Sequence, residues 1–180
     1  MRSLSVPAAC LVLLAFTVGR NRDWRDNESI FRATLEGNPR SIRAHFNLAV
    51  TYQDLLGNPA GARRHYERVL ELRREQKAAI ESAGTKPMFW EDEIESHFSL
   101  ARLYAQQGRH DKAMSHYKVL LSLEPNEGNR PMMVEAALAM GQWYSALGDR
   151  DQAQRLFERA AKLEPHLQRE IQRVSGQPGA

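Results

Sequence analysis

One spacing occurs three times in this chain, and it restricts the fold more than any other feature. The stretch "LARLYAQQGRHDKAMSHYKVLLSLEP" places Leu100, Ala101, Tyr104, Gly108, Ala113, Tyr117, Leu120 and Pro125 in order. The same offsets return as Met140, Gly141, Tyr144, Gly148, Ala153, Phe157, Ala160 and Pro165. A third copy reads Leu48, Ala49, Tyr52, Gly57, Ala62, Tyr66 and Val69, with one extra residue before Ala62 and no closing proline. Residues four apart share a helix face, as Leu100 and Tyr104 do, and Ala113 and Tyr117 on the next helix. Alanine or glycine at 101, 113, 141 and 153 lets two helices approach closely. Gly108 and Gly148 suit the left-handed residue that ends a helix, and Pro125 and Pro165 stop the second one. The unit is therefore a helix-turn-helix, and its large residues, Tyr104 and Tyr144 included, are expected in the core.

These residues together resemble the tetratricopeptide repeat, a helix-turn-helix of about 34 residues with Leu-Gly-x-x-Tyr, then Ala-x-x-x-Phe, then Pro. The resemblance implies an all-α right-handed superhelix of three repeats. Here the starts, Leu48, Leu100 and Met140, stand 52 and 40 residues apart, so the chain carries insertions. The expected organisation is an apolar segment 1–20 and a half-repeat cap 21–40. A first repeat 41–81 follows, with an extended second helix from about Pro59 to Ile80, and then an insertion 82–93. A second repeat spans 94–125, an insertion 126–132 and a third repeat 133–165. A capping helix 166–174 and a tail 175–180 close the chain. Caps are needed because terminal repeats have no neighbour to cover them. Phe31, Thr34, Leu35 and Pro39 fit the second helix of a half repeat, and Leu167, Ile171 and Val174 share one face of the closing helix.

In this family the first helix of each repeat lines a concave groove. The resemblance assigns Arg43, Phe46, Val50, Gln53 and Asp54 to it in the first repeat. It assigns Glu95, Phe98, Arg102, Ala105 and Gln106 in the second, and Glu135, Leu138, Gln142, Ser145 and Ala146 in the third. Such a surface suits a protein partner, with Phe46 and Phe98 holding a peptide and Arg43 or Arg102 taking a carboxylate. The competing reading makes the phenylalanines packing residues and Arg102 a solvated charge. Met88, Phe89 and Trp90 in the longer insertion either form a second contact surface or fold back on the neighbouring repeat. Repeats that hold acidic chaperone C-termini carry lysine and asparagine where this chain has Phe46 and Val50. They carry asparagine at Ser99, and lysine and arginine at Glu135 and Ala139. None matches, which argues against a chaperone clamp.

Nothing in the sequence indicates catalysis, a cofactor or a metal site. The six histidines, His45, His65, His97, His110, His116 and His166, show no metal-ligand spacing, and there is no Cys-x-x-Cys, phosphate loop or nucleophile elbow. Glu91, Asp92, Glu93 and Glu95 crowd a helix start, where negative charge is favourable. Asn27-Glu28-Ser29 fits a glycosylation sequon, a tripeptide common by chance. The net charge of +3 is small and its residues are interleaved with acids, which argues against nucleic acid. The single Cys10 makes no internal disulfide.

Residues 4–19, "LSVPAACLVLLAFTVG", are apolar apart from Ser5 and Thr17. As a helix they reach about 24 Å, short of the roughly 30 Å hydrocarbon core. Four readings remain: a short membrane anchor, a cleaved signal peptide, a lipoprotein signal ending at Cys10, or a buried helix. The junction "GRNRDWRDNESIF" (19–31) resembles that of multi-pass membrane O-mannosyltransferases with C-terminal repeats of this kind, and of their bacterial relatives. Arg20, Asn21, Asp23, Trp24, Arg25 and Phe31 carry the likeness. It implies a membrane-associated chain with its repeats on the non-cytoplasmic side; the cleaved-signal reading gives a secreted or periplasmic domain instead. The positive-inside rule votes the other way through Arg20, Arg22 and Arg25. The function expected is a non-catalytic interaction scaffold tethered to a membrane. The alternatives are a permanent structural subunit of a membrane-associated complex and an accessory to a membrane glycosyltransferase.

Overall fold

The computed structural model describes residues 27–167, and all regular structure among them is helical. The apolar segment 4–19, junction residues 19–26, and the expected closing helix and tail from residue 168 on lie outside the described residues. Among those described, no helix is long and apolar enough to cross a membrane.

The chain divides into two compact units, one up to Ala83 and one from Gly84. The first holds α1 (Asn27–Gly37), α2 (Ile42–Val50), a π-helical continuation of α2 (Thr51–Leu55) and α3 (Pro59–Ser82). α2 packs on both α1 and α3. The second holds α4 (Glu91–Gln106), α5 (His110–Leu121), α6 (Arg130–Ala146), α7 (Arg150–Leu163) and a 3₁₀ turn (Pro165–Leu167). There α4 pairs with α5, α5 with α6, and α6 with α7.

Helix starts are set by local acceptors for otherwise unpaired N–H groups. Ser41 Oγ accepts from Ala44 N at 3.3 Å, Asn58 Oδ1 from Gly61 N at 2.9 Å, and Asp149 Oδ1 from Gln152 N at 3.1 Å. Pro59 occupies the first position of α3, where its missing N–H costs nothing. The second repeat's first helix begins at Glu91 rather than 94, because Glu91, Asp92 and Glu93 fill an acidic first turn and Glu93 Oε2 accepts from Trp90 N at 3.4 Å. The third repeat's first helix begins at Arg130 rather than 133, with Pro131 in its first turn.

The small and large signature positions form the core. Ala49, Ala62, Ala101, Ala113 and Ala153 are buried beside Leu48, Tyr66, Leu100, Tyr117, Leu120 and Phe157. Truncating any of the large ones to alanine is worth about 2–5 kcal/mol. Tyr52 and Tyr104 are buried, but Tyr144 is only half-buried, against the expectation. Tyr52 stacks on His65 and Tyr104 on His116, with centroids 5.6 and 5.7 Å apart. α7 has Leu156 at that position, and Tyr144 meets the edge of Trp143 instead, at 5.2 Å. The cap is held by polar contacts: Tyr52 Oη donates to Glu28 Oε1 at 2.9 Å and accepts from Arg32 Nη2 at 2.6 Å, while Arg32 also pairs with Glu28 at 2.7 Å.

Candidate functional site

Within the first unit, α2 presents Arg43 exposed and Phe46 and Val50 half-buried. The Phe46 ring meets Tyr66 edge-on, with centroids 6.1 Å apart. Gln53 and Asp54 sit in the π-helical segment, where the Gln53 amide donates to Asp54 Oδ1 at 3.2 Å. There Leu56 N–H donates to the Thr51 carbonyl, five residues back, at 3.2 Å. The segment absorbs the extra residue seen in the first copy of the repeat, and it displaces Gln53 and Asp54 from α-helical register. It ends at Leu55 and Leu56, which are 67% and 49% exposed.

Within the second unit, Phe98 is half-buried and Arg102, Gln106 and Gln142 are exposed. The Arg102 guanidinium lies 5.6 Å from the Phe98 centroid, and its Nε is 3.4 Å from Glu135 Oε1 on α6. The arginine expected to take a ligand carboxylate therefore already faces one from the protein, and its pairing links the first helices of two repeats. Phe89, Ile94, Glu95, Asn126, Asn129 and Met132 line a cavity of about 270 Å³. Burial raises the Glu95 carboxyl above its ordinary value, and Glu91 and Asp92 add to the effect. Met88 is 66% exposed and Phe89 37%, while Trp90 is half-buried. Phe89 thus stands beside Glu95 on the cavity wall, with Met88 open to solvent.

The sequence reading missed two histidine pairs. His45 Nδ1 lies 2.9 Å from His65 Nδ1, and His97 Nδ1 lies 2.9 Å from His116 Nδ1. Each pair joins the two helices of one repeat, three residues before the signature leucine and three after the signature alanine. That common offset was the available signal. His45 Nε2 faces the Pro39 carbonyl at 3.0 Å, which only accepts, so Nε2 carries the hydrogen of the neutral ring. His45 Nδ1 then accepts from His65 Nδ1–H. Burial lowers His45, reinforced by Arg68 and opposed by the Pro39 bond. Burial, then His45, Arg64 and Arg32, brings His65 from 6.5 down to about 4. Both rings in this pair are neutral at pH 7. Both nitrogens of His45 and Nδ1 of His65 are occupied by this pairing and by backbone, which gives the pair a structural role. Among the described residues, no group of three His, Cys, Asp or Glu side chains could hold a metal ion.

Tetratricopeptide repeat family models match residues 47–75, 94–127 and 136–170, one for each helix hairpin. No curated protein matches the chain. The three matches fall on the hairpins α2–α3, α4–α5 and α6–α7, and these helices carry the repeat's small-residue contacts and glycine-ended first helices. The chain is therefore a member of the tetratricopeptide repeat family, of the all-α superhelical class, and a protein-interaction scaffold.

Proposed function

We propose that the exposed faces of the first helices bind a segment of a partner protein and that the chain is not itself an enzyme. The observation that carries this reading is the face of α4, where a half-buried aromatic, Phe98, stands beside the ion pair of Arg102 and Glu135. An aromatic anchor with polar neighbours is the usual composition of a peptide-holding surface. The adjoining cavity extends it with the apolar walls of Phe89, Ile94 and Met132 and the Glu95 carboxyl. In the first unit, Phe46 and Val50 offer the same kind of surface beside Arg43. The apolar stretch 4–19 supports tethering of this scaffold to a membrane.

Cross-linking in native membranes, followed by capture of the full chain, tests the reading. Phe98→Ala and Arg102→Glu should each lose the captured partner while remaining folded. Arg102→Glu sets a carboxylate against Glu135 and should have the larger effect. Capture of the same proteins at the same yield by both variants would overturn it.

A further inference from the structure

A second cavity adjoins the insertion between α5 and α6, which also contributes Asn126, Asn129 and Met132 to the first. The loop of this insertion closes on itself: Asn126 N–H donates to Asn129 Oδ1 at 2.8 Å, and Asn129 N–H donates to Asn126 Oδ1 at 2.9 Å. Asn129 is buried, and its Nδ2 donates to the Glu124 carbonyl at 2.9 Å. With these groups satisfied internally, the loop keeps its shape without a ligand. Pro125 and Arg130 at its two ends form one wall of a cavity of about 660 Å³. The end of α7 and the turn after it form the other wall, with Arg159, Lys162, Leu163 and Pro165.

Arg159 and Lys162 are three apart and share a helix face. Arg159 is oriented by donating to the Leu121 carbonyl at the end of α5. Arg130 adds a third cation at the positive end of α6, whose first turn holds no acid. Among the described residues, no carboxylate lines the cavity. Among the described residues none of these three cations is in an ion pair. Two acids nearby have other neighbours: Glu158 Oε1 accepts from Gln154 Nε2 at 2.9 Å, and Glu164, at the end of α7, lies 3.1 Å from His166 Nδ1.

We propose that this cavity binds an acidic segment of a partner polypeptide, at a site separate from the groove. Three cations from two elements, walled by Pro125, Leu163 and Pro165, suit carboxylates interleaved with apolar side chains. The volume is of the size that holds an extended ligand, about 300–1,000 Å³, and exceeds what a lone inorganic anion fills. The site owes its shape to the insertion that lengthens this repeat, so it is a property of this chain and not of the bare repeat.

The test uses the full chain and a fluorescein-labelled hexapeptide of alternating Glu and Leu, read by fluorescence anisotropy, with its Gln/Leu twin as control. Arg130→Glu and Lys162→Glu should each weaken binding of the Glu/Leu peptide by about tenfold or more. Both should melt as the wild type does; Arg130→Gln and Lys162→Gln, expected to weaken binding less, serve if a charge reversal fails to fold. The Gln/Leu twin should bind wild type more weakly by a similar factor. Phe98→Ala should leave the hexapeptide affinity unchanged, which separates this site from the groove. The proposal is overturned if wild type does not bind the peptide, if folded variants bind it as wild type does, or if the twin binds equally. Displacement of the peptide by an equal concentration of inorganic phosphate would overturn it too, in favour of a small-anion site.

Discussion

The hairpins α2–α3 and α4–α5 make the same turn with different numbers of residues. In α4 the turn closes when Arg109 N–H donates to the Tyr104 carbonyl at 2.9 Å and Gly108 N–H to the Ala105 carbonyl at 3.0 Å. α6 repeats this with Asp149 to Tyr144 and Gly148 to Ser145, both at 3.0 Å. In α2 the matching bond runs from Asn58 N–H to the Tyr52 carbonyl at 2.8 Å, six residues instead of five. The glycine still lies at positive φ: Gly57 at 55°, Gly108 at 69° and Gly148 at 82°. Both the tyrosine carbonyl and the glycine are thus preserved, and the added residue is taken up between them as a π turn. The comparison teaches that the hairpin is defined by its end contacts, and that the helix between them yields.

The largest expected effect concerns the histidine pair, which the first two hairpins have and the third lacks. α6 and α7 carry Ala137 and Leu156 at those positions. His65→Leu strands the His45 Nδ1 acceptor and should cost about 1–3 kcal/mol in chemical unfolding. Adding His45→Ala, which copies the third hairpin, should recover part of that; no recovery would mean the rings act through packing alone. The pH dependence follows from the same pair. The folded state holds His65 at about 4 against an ordinary 6.5, so the unfolded chain binds more protons between these values. Its stabilising contribution is complete above pH 6.5 and is lost as pH falls through 4. Allowing for solvent around a half-buried ring, the loss should be about 1–2 kcal/mol. The double variant should be flatter than wild type over that range, and equal slopes would contradict the assignment.

A smaller effect distinguishes the third hairpin from the others. Gly141 stands where the first two have the buried Ala49 and Ala101, and a Cβ there would sit 2.8 Å from Phe157 Cε1. Gly141→Ala gains helix propensity but overpacks the ring, for a net loss of about 1 kcal/mol. A raised melting temperature would show that the Phe157 ring gives way freely. The smallest effect belongs to the π turn itself. Deleting Asp54 should let α2 close as α4 does, with a stability change within about 1 kcal/mol. Unfolding of that variant would show that the first hairpin requires its extra residue.

The fold was legible because its markers act locally. Glycine ends a helix, alanine permits close approach, and the tyrosine offset sets the register, so the three copies share one spacing. Even the π turn left its trace as one residue too many before Ala62. The contacts that define the surfaces lack such a trace. Arg102 and Glu135 lie on different repeats, and nothing in their spacing says that they pair. His45 and His65 are 20 residues apart, and only the packing of α2 on α3 turns two scattered histidines into one hydrogen bond. The Asn126–Asn129 closure was hidden in a stretch that read as a plain insertion, and with it the basic cavity that its ends help to line.

The tyrosine carbonyl that closes each turn has a practical consequence. A joint fastened at an atom, and not at a count of residues, tolerates a change of length on one side while the other side stays in register. The segment between Tyr52 and Gly57 is therefore where this chain can be lengthened, or can carry a grafted residue or a spectroscopic label, without re-aligning α3. The corresponding segments 104–108 and 144–148 offer the same opening in the other two hairpins.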